Sequence, residues 1–180
     1  ERAITNLRRE RLLAPQAIER VPQAKLARLV RPSGYFRQKA KKLKAFVRFL
    51  RQGYGGSLAR MFRTPTEELR EKLLGVHGIG PETADSILLY AGGQAVFVVD
   101  AYTKRILARH ELVSEKAGYE EVRALFEKNL PREVRLWNEY HALIVNVGKN
   151  WCRKRAPKCE ECPLGEFLSD AQRRALEAGR

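Results

Sequence analysis

The chain has 180 residues, in which 35 Lys and Arg outnumber 21 Asp and Glu and give a formal net charge of +14. This excess of positive charge indicates a polyanionic partner, either nucleic acid or an anionic membrane surface. No apolar stretch approaches the roughly 20 residues that span a bilayer, and no signal-peptide pattern opens the chain. We therefore expect no membrane partner, although a generally basic protein without a polyanionic partner would show the same charge.

The first part of the chain predicts short helices with short connections. Residues 1–30 contain three such helical patterns, and a turn separates them from a long helix. The start of that helix, residues 35–44, interleaves aromatic and basic side chains. This mixture could stack a nucleic-acid base and hold phosphates. The helical spacing of Phe36, Ala40 and Leu43 equally suits core packing beneath a solvated face of lysines.

Residues 65–91 show the pattern of two helices separated by a glycine hairpin. Thr64, Pro65 and Glu67 match the N-cap, the N1 proline and the N3 acid of a capping box. Gly78-Ile79-Gly80 allows a tight turn, and a proline then restarts a helix. Backbone N–H groups of such a hairpin could hold a DNA phosphate, whereas an ordinary αα-hairpin would need the same residues.

An apolar, β-branched run, Ala95–Val99, leads directly to Asp100. The run is too short for a helix and predicts a strand-like segment that brings the carboxylate to the edge of a cleft. Asp100 also suits the N-cap of a helix that begins at Ala101. The two interpretations are compatible.

The chain after Asp100 predicts long helices. Their patterns cover residues 102–110, 119–129 and 134–151. His110 is expected to interact with a helix dipole at the end of the first of these helices. The last helix carries large apolar residues at helical intervals and predicts core packing. Its polar residues His141 and Asn146 could reach a site, but interior polar groups usually find local partners.

Three cysteines follow as Cys152-x6-Cys159-x2-Cys162. Without a secretory signal, this close spacing favours a bound metal over disulfides. Zinc would need a fourth ligand, and no histidine lies near the cysteines in sequence. The cysteines therefore predict a metal-binding loop whose ligand set is incomplete.

The hairpin, the aspartate and the cysteines together resemble a known family. The stretch GVHGIGPETA, followed by VFVVDAYTKRI and the downstream cysteines, is similar to the helix-hairpin-helix and Gly/Pro-Asp signature of the endonuclease III superfamily of DNA glycosylases. This resemblance implies an all-α, two-lobed enzyme of base excision repair. Such an enzyme flips a damaged base out of DNA and cuts its N-glycosidic bond.

The resemblance also implies site residues. Asp100 would be the catalytic carboxylate, which stabilises a cationic sugar and orients or deprotonates the attacking water. Glu82 is a weaker catalytic candidate, because an acid in a helix's first turn is already favoured by the dipole. The expected DNA-binding residues are His77, Gly78, Ile79, Gly80, Glu82, Thr83 and Lys104.

Glu82 stands where bifunctional members of that family carry a lysine. That lysine forms a Schiff base with the sugar, and a carboxylate cannot form an imine. The chain therefore resembles more closely a monofunctional branch that excises alkylated bases such as 3-methyladenine. The alternatives are a bifunctional enzyme that uses another lysine, such as Lys104, and a non-catalytic DNA-binding protein or inactive paralogue.

Leu168 is a second departure from the family. There, the pattern C-x6-C-x2-C-x5-C binds a [4Fe-4S] cluster, and Leu168 occupies the fourth cysteine position. Leucine offers no lone pair, so a cluster would have only Cys152, Cys159 and Cys162 as thiolate ligands. A labile cluster and a loop without metal both remain open, and the retained spacing favours the cluster.

The resemblance predicts a helical barrel lobe at residues 1–93 and a smaller lobe with the cysteines at residues 94–180. Gly92-Gly93 would join them, and the flipped base would enter a cleft between the lobes. We expect a monomer that acts on damaged double-stranded DNA in a prokaryotic-type cytoplasm, associated with the nucleoid. Because the family has helices ahead of the residues that match Glu1, we expect an N-terminal part to be missing.

Overall fold

The structure is a computed structural model that describes residues 1–169, 172 and 174. The α-helices are α1 (Arg2–Arg9), α2 (Pro15–Arg20), α3 (Gln23–Leu29), α4 (Phe36–Tyr54), α5 (Leu58–Met61), α6 (Thr66–Leu74), α7 (Pro81–Ser86), α8 (Ala101–Arg109), α9 (Tyr119–Asn129) and α10 (Val134–Asn150). No β-strand occurs among the described residues, so the predicted all-α class is confirmed. Within the same residues, every helix is too short or too polar to cross a membrane.

The chain divides into two compact units, Glu1–Gly80 and Pro81–Arg180. This division differs from the one expected at Gly93, which would place α7 and the following turns in the first lobe. The physical reason is packing, because Leu89 is buried in the apolar core of the second unit.

The first unit is built around α4, against which α2 and α3 pack. Its core consists of the buried apolar residues Leu7, Ile18, Val21, Leu26, Ala27, Val30, Ala40 and Val47. Phe36 and Leu43 of α4 are partly buried and pack against this core. The apolar spacing at the start of α4 therefore serves packing, as one of the two interpretations of residues 35–44 expected.

The capping box predicted at Thr64 does not form. The helix α6 begins at Thr66, and Pro65 is its N-cap with an extended ψ of 144°. The Thr64 hydroxyl instead contacts the Tyr54 hydroxyl, with 3.4 Å between the oxygens. Because Pro65 has an extended ψ, the helical conformation begins further along the chain than the local pattern predicts.

The second unit is built around the run Ala95–Val99. The ring of Phe97 stacks on that of Phe126 with centroids 3.9 Å apart, and Trp137 meets it edge-on at 6.0 Å. The buried core of this unit comprises Leu89, Phe97, Val98, Val99, Ile106, Leu107, Ala117, Val122, Phe126, Trp137, Ile144 and Cys152.

The run Ala95–Val99 is not a strand, and its residues 96–99 are buried. Side chains take the place of a partner strand as hydrogen-bond acceptors. The backbone N–H of Phe97 donates to the Glu127 carboxylate at 3.0 Å, and that of Val99 donates to the Tyr119 hydroxyl at 3.3 Å. The run is therefore not helical, as predicted, but the strand-like prediction was wrong about sheet pairing.

The helix α7 continues directly into a π-helix, Ile87–Ala91. A π segment widens the turn by one residue, and such segments are frequent at functional sites. Gly92 caps its end, and Gly93 follows with φ of +60°, a conformation that residues with a Cβ rarely adopt. The 3.6-residue pattern at positions 81–91 predicted an α-helix throughout, and it could not show this change of register.

Candidate active site

The glycine hairpin lies between α6 and α7. Gly78 has φ of +83°, and a Cβ at this position would come within 2.6 Å of the Lys42 side chain. The side chain of Ile79 is buried, whereas His77 and Gly80 are exposed. The hairpin is thus anchored by the buried side chain of Ile79, whose backbone N–H donates to the Val76 carbonyl at 3.0 Å. Contact of these residues with DNA stays a prediction.

Asp100 is the N-cap of α8. Its Oδ1 accepts hydrogen bonds from the backbone N–H and the hydroxyl of Thr103, at 2.8 and 2.9 Å. The backbone N–H of Asp100 donates to the same hydroxyl at 3.4 Å and completes a capping box. The N-cap prediction is confirmed. Because Oδ1 makes the cap, Oδ2 is the oxygen left for another partner.

His141 of α10 faces the second carboxylate oxygen. Its Nε2 lies 3.7 Å from Oδ2 of Asp100, which is too long for a good hydrogen bond. Its Nδ1 is hydrogen-bonded with the Tyr90 hydroxyl from the π-helix. Burial lowers the pKa of His141, and the negative charge of Asp100 opposes that shift. His141 is therefore neutral at pH 7 and is held between a phenol and a carboxylate.

Glu82 is the other carboxylate near Asp100. It is exposed in the first turn of α7, next to the exposed Thr83. Partial burial raises the pKa of Glu82, and the negative charge of Asp100 raises it further. The same two causes, in the same order, raise the pKa of Tyr90. The negative charge of Asp100 therefore acts on both Glu82 and Tyr90.

A buried polar network holds the backbone that leads to Asp100. The Tyr119 hydroxyl donates to Oδ2 of Asp85 at 2.8 Å and accepts the backbone N–H of Val99 at 3.3 Å. Asp85 is fully buried, and the Arg123 guanidinium lies 4.0 Å from its carboxylate. This network fixes the residue that precedes Asp100 and therefore restricts where the Asp100 carboxylate can lie.

Lys104 has a partner within its own unit. Its ammonium donates to the backbone carbonyl of Ala117 at 3.0 Å, and the side chain is half-buried. An ammonium carries three donors, so this contact leaves donors for a phosphate. Its predicted role in DNA binding is neither supported nor contradicted by this geometry.

The three cysteines line one small cavity of about 10 Å³. The rest of its lining comprises Arg109, His110, Trp151, Gly165 and Leu168. His110 is thus brought to the cysteines by the fold, although no histidine is near them in sequence. Its ring contacts the backbone of Phe167.

The residues of this cavity do not fit a four-thiolate iron–sulfur cluster. Leu168 is buried and provides no donor atom, and a cavity of this volume accommodates about one water. Among the described residues, no group of three or more His, Cys, Asp or Glu side chains is arranged to hold a metal ion. A cluster with three cysteine ligands stays a prediction.

Two arginines of α8 anchor the cysteine loop without a metal. Arg105 donates to the backbone carbonyls of Cys152 and Gly148, at 2.8 and 3.0 Å. Arg109 donates to Sγ of Cys152 at 3.2 Å and to the carbonyl of Arg153 at 2.6 Å. These charge-assisted bonds attach the loop to the helix that Asp100 begins.

Comparison with known proteins identifies the family. Residues 1–132 match the HhH-GPD superfamily of base excision DNA repair proteins. The chain belongs to the HhH-GPD superfamily. It is therefore a base excision repair glycosylase that acts on DNA, as the hairpin and Asp100 predicted, and the expected family is confirmed.

Relatives extend this assignment over nearly the whole HhH-GPD chain. The "Putative DNA repair glycosylase MJ1434" of Methanocaldococcus jannaschii is 48% identical over 93% of this chain and 76% of its own length. The structure of H. pylori 3-methyladenine DNA glycosylase bound to 1,N6-ethenoadenine has a TM-score of 0.68 and 30% identity. It covers 80% of this chain and 74% of that one.

A trapped endonuclease III–DNA covalent intermediate is similar in fold, with a TM-score of 0.78 at 24% identity. The match covers 96% of this chain and 76% of that one. At this identity the likeness supports the two-lobed HhH-GPD glycosylase fold and no finer statement about the reaction.

Tyr35, the first residue of the aromatic and basic stretch 35–44, is a candidate DNA contact of this HhH-GPD glycosylase. Its side chain is 88% exposed, and its backbone has φ of +44°. A non-glycine residue with positive φ is uncommon and marks strain that the surrounding structure must support. The Gly34-Tyr35 turn before α4 was the available signal, because an exposed aromatic next to a tight turn has no packing role.

Proposed function

We propose that the chain is a monofunctional DNA glycosylase that releases alkylated bases and leaves the sugar–phosphate strand intact. The observation that carries this proposal is Glu82, a carboxylate close enough to Asp100 for their charges to interact. A lyase that works through a Schiff base needs an amine beside the reacting sugar. In this chain the residue at the position of that amine is Glu82, which is a carboxylate.

The charge of this site suits an alkylated base. A base methylated at a ring nitrogen, such as 3-methyladenine, carries positive charge before it departs and leaves as a neutral molecule, so the protein need not protonate it. When the N-glycosidic bond breaks, its electron pair goes to the base and positive charge develops on the sugar. The ionised Oδ2 of Asp100 stabilises that charge, and it then accepts a proton from the water that bonds to the sugar carbon.

Similarity to a known enzyme supports the same substrate class. The H. pylori 3-methyladenine glycosylase is 30% identical to this chain and was solved with a modified adenine bound. We infer a related preference for modified purines in duplex DNA. The chain would work as a monomer, with the hairpin backbone and the exposed Tyr35 contacting the duplex.

Borohydride trapping tests the monofunctional assignment. The protein is incubated with duplexes that contain 3-methyladenine, 1,N6-ethenoadenine or thymine glycol, and products are resolved with and without alkali. We expect base release, strand breaks only after alkali, and no borohydride-trapped protein–DNA adduct, because trapping requires an imine. Efficient trapping by the unmodified protein would make it a lyase. Lys104→Met, with Lys116→Met as a control, would then show whether Lys104 is the nucleophile.

A further inference from the structure

His141 and Tyr90 form a chain of contacts that ends on the proposed catalytic oxygen. Tyr90 OH is bonded to Nδ1 of His141, and Nε2 of His141 faces Oδ2 of Asp100 at 3.7 Å. The His141 side chain is 9% exposed, and Nε2 is a buried polar atom without a hydrogen-bond partner among the described residues. Such an atom is costly unless it gains a partner. Asp100 Oδ2 is the acceptor that it faces.

The protonation of His141 follows from its two neighbours. A neutral imidazole carries one N–H, and the hydrogen bond at one nitrogen selects the state of the other. If the proton were on Nδ1, the Nε2 lone pair would face the Asp100 carboxylate and be repelled by it. If Tyr90 donates its hydroxyl proton to Nδ1, Nε2 carries the hydrogen and faces Oδ2. The second arrangement satisfies both contacts.

We propose that Tyr90 and His141 are positioning residues, which orient Oδ2 of Asp100 towards the sugar whose glycosidic bond breaks. This proposal rests on the proposed function, because it assigns Asp100 the chemical step. The 3.7 Å gap closes to a hydrogen bond when a small movement of either side chain brings Nε2–H onto Oδ2. Thr103 already holds Oδ1, so the two contacts together fix the plane of the carboxylate.

The ionisable groups around Asp100 are consistent with these roles. Glu82 faces it from α7, Tyr90 from the π-helix and His141 from α10. Burial lowers the pKa of His141, so its contribution at neutral pH is a neutral N–H donor. Burial and the Asp100 charge raise the pKa of Tyr90. The phenol therefore stays protonated and can donate a hydrogen bond to Nδ1 of His141. The negative charge of Glu82 repels that of Asp100, and the N–H donor of His141 offsets this repulsion.

Single-turnover base excision separates positioning from binding. His141→Phe keeps an aromatic ring and removes the donor, and we expect a loss of about 10- to 100-fold in excision rate, as for a hydrogen bond to a charged group. His141→Gln can place an amide N–H near Oδ2 and should recover part of that loss. Tyr90→Phe should lose about threefold to tenfold. Duplex affinity should not change in any of these variants.

The control is Tyr140→Phe, which removes a phenolic hydroxyl from the same unit. The Tyr140 ring packs edge-on against Phe97 and Phe126, and Phe preserves that packing. We expect wild-type excision from this variant. Because Tyr90 acts through His141, the Tyr90→Phe change should cost nothing further in a His141→Phe background. Additive losses, or wild-type rates in His141→Phe, would overturn the proposal.

Nitrogen NMR of the imidazoles tests the arrangement without any activity measurement. The chain has three histidines, so the His141 signals are those that disappear in His141→Phe. At neutral pH we expect the Nε2–H tautomer in the wild-type protein, and its loss or mixing in Tyr90→Phe but not in Tyr140→Phe. An Nδ1–H tautomer in the wild type would overturn the proposal. Absence of excision by the wild type would refute the proposed function, and the tautomer would still decide the placement.

Discussion

Replacing Asp100 with Asn removes a charge and leaves the local structure almost unchanged. Oδ1 of Asp100 accepts the two hydrogen bonds from Thr103 that cap α8. The Asn carbonyl oxygen can accept the same bonds, and Asn is as good an N-cap residue as Asp. The variant should therefore fold normally, and its effect on the reaction should report the charge of Asp100 alone.

The size of the expected effect follows from the burial of the carboxylate. The Asp100 side chain is 13% exposed, so an effective dielectric constant of about 20 applies to its interactions. At a separation of about 4 Å, a full positive charge on the sugar would then be stabilised by about 4 kcal/mol. This energy corresponds to about 10³-fold in rate. We therefore expect Asp100→Asn to slow single-turnover excision by about a thousandfold.

Three measurements on the same preparation check this expectation. Excision is followed by alkali cleavage of a duplex with one 3-methyladenine, duplex affinity by a salt titration, and stability by thermal unfolding. Asp100→Ala is the matched variant, because it loses the cap as well and should cost about 1 kcal/mol of unfolding free energy. Excision by Asp100→Asn within tenfold of the wild type, with unchanged stability, would refute the role of Asp100.

Two further predictions concern stability. Burial lowers the pKa of His141 from 6.5, so below about pH 6.5 the unfolded chain binds a proton at this residue more readily than the folded chain does. The free energy of unfolding should therefore fall as the pH drops below about 6.5. His141→Gln should flatten this dependence, and the exposed His77→Gln should not; equal pH dependence in urea titrations of both would contradict the assignment. Arg109→Met should reduce the free energy of unfolding by about 1–3 kcal/mol, because it removes charge-assisted bonds to the cysteine loop. The loss should be the same in protein grown with and without added iron; unchanged stability would show that the arginine does not hold the loop.

Local pattern was sufficient for several elements of this protein. The glycine hairpin, the capping of α8 by Asp100 and the helix Tyr119–Asn129 were all predicted from neighbouring residues. Each depends on interactions within a few positions, such as a cap, a positive φ or an apolar stripe, and these are encoded next to one another. The family resemblance depended on such short segments in their order along the chain.

Tertiary structure decided the elements that depend on distant partners. The run Ala95–Val99 has the composition of a strand, yet Glu127 and Tyr119 take its backbone hydrogens, and no local signal identifies those partners. The same holds for Thr64, whose hydroxyl contacts the distant Tyr54 and does not cap α6.

The surroundings of Asp100 depend most strongly on the fold. The sequence by itself determined an all-helical chain of the HhH-GPD superfamily with a carboxylate at position 100. Only the folded chain shows that Tyr90 contacts His141 and that His141 faces this carboxylate, because Tyr90 lies on an unpredicted π-helix and His141 on a helix far along the chain. Packing and burial in the whole unit decide which side chains, distant in sequence, come into contact. They leave no pattern among neighbouring residues.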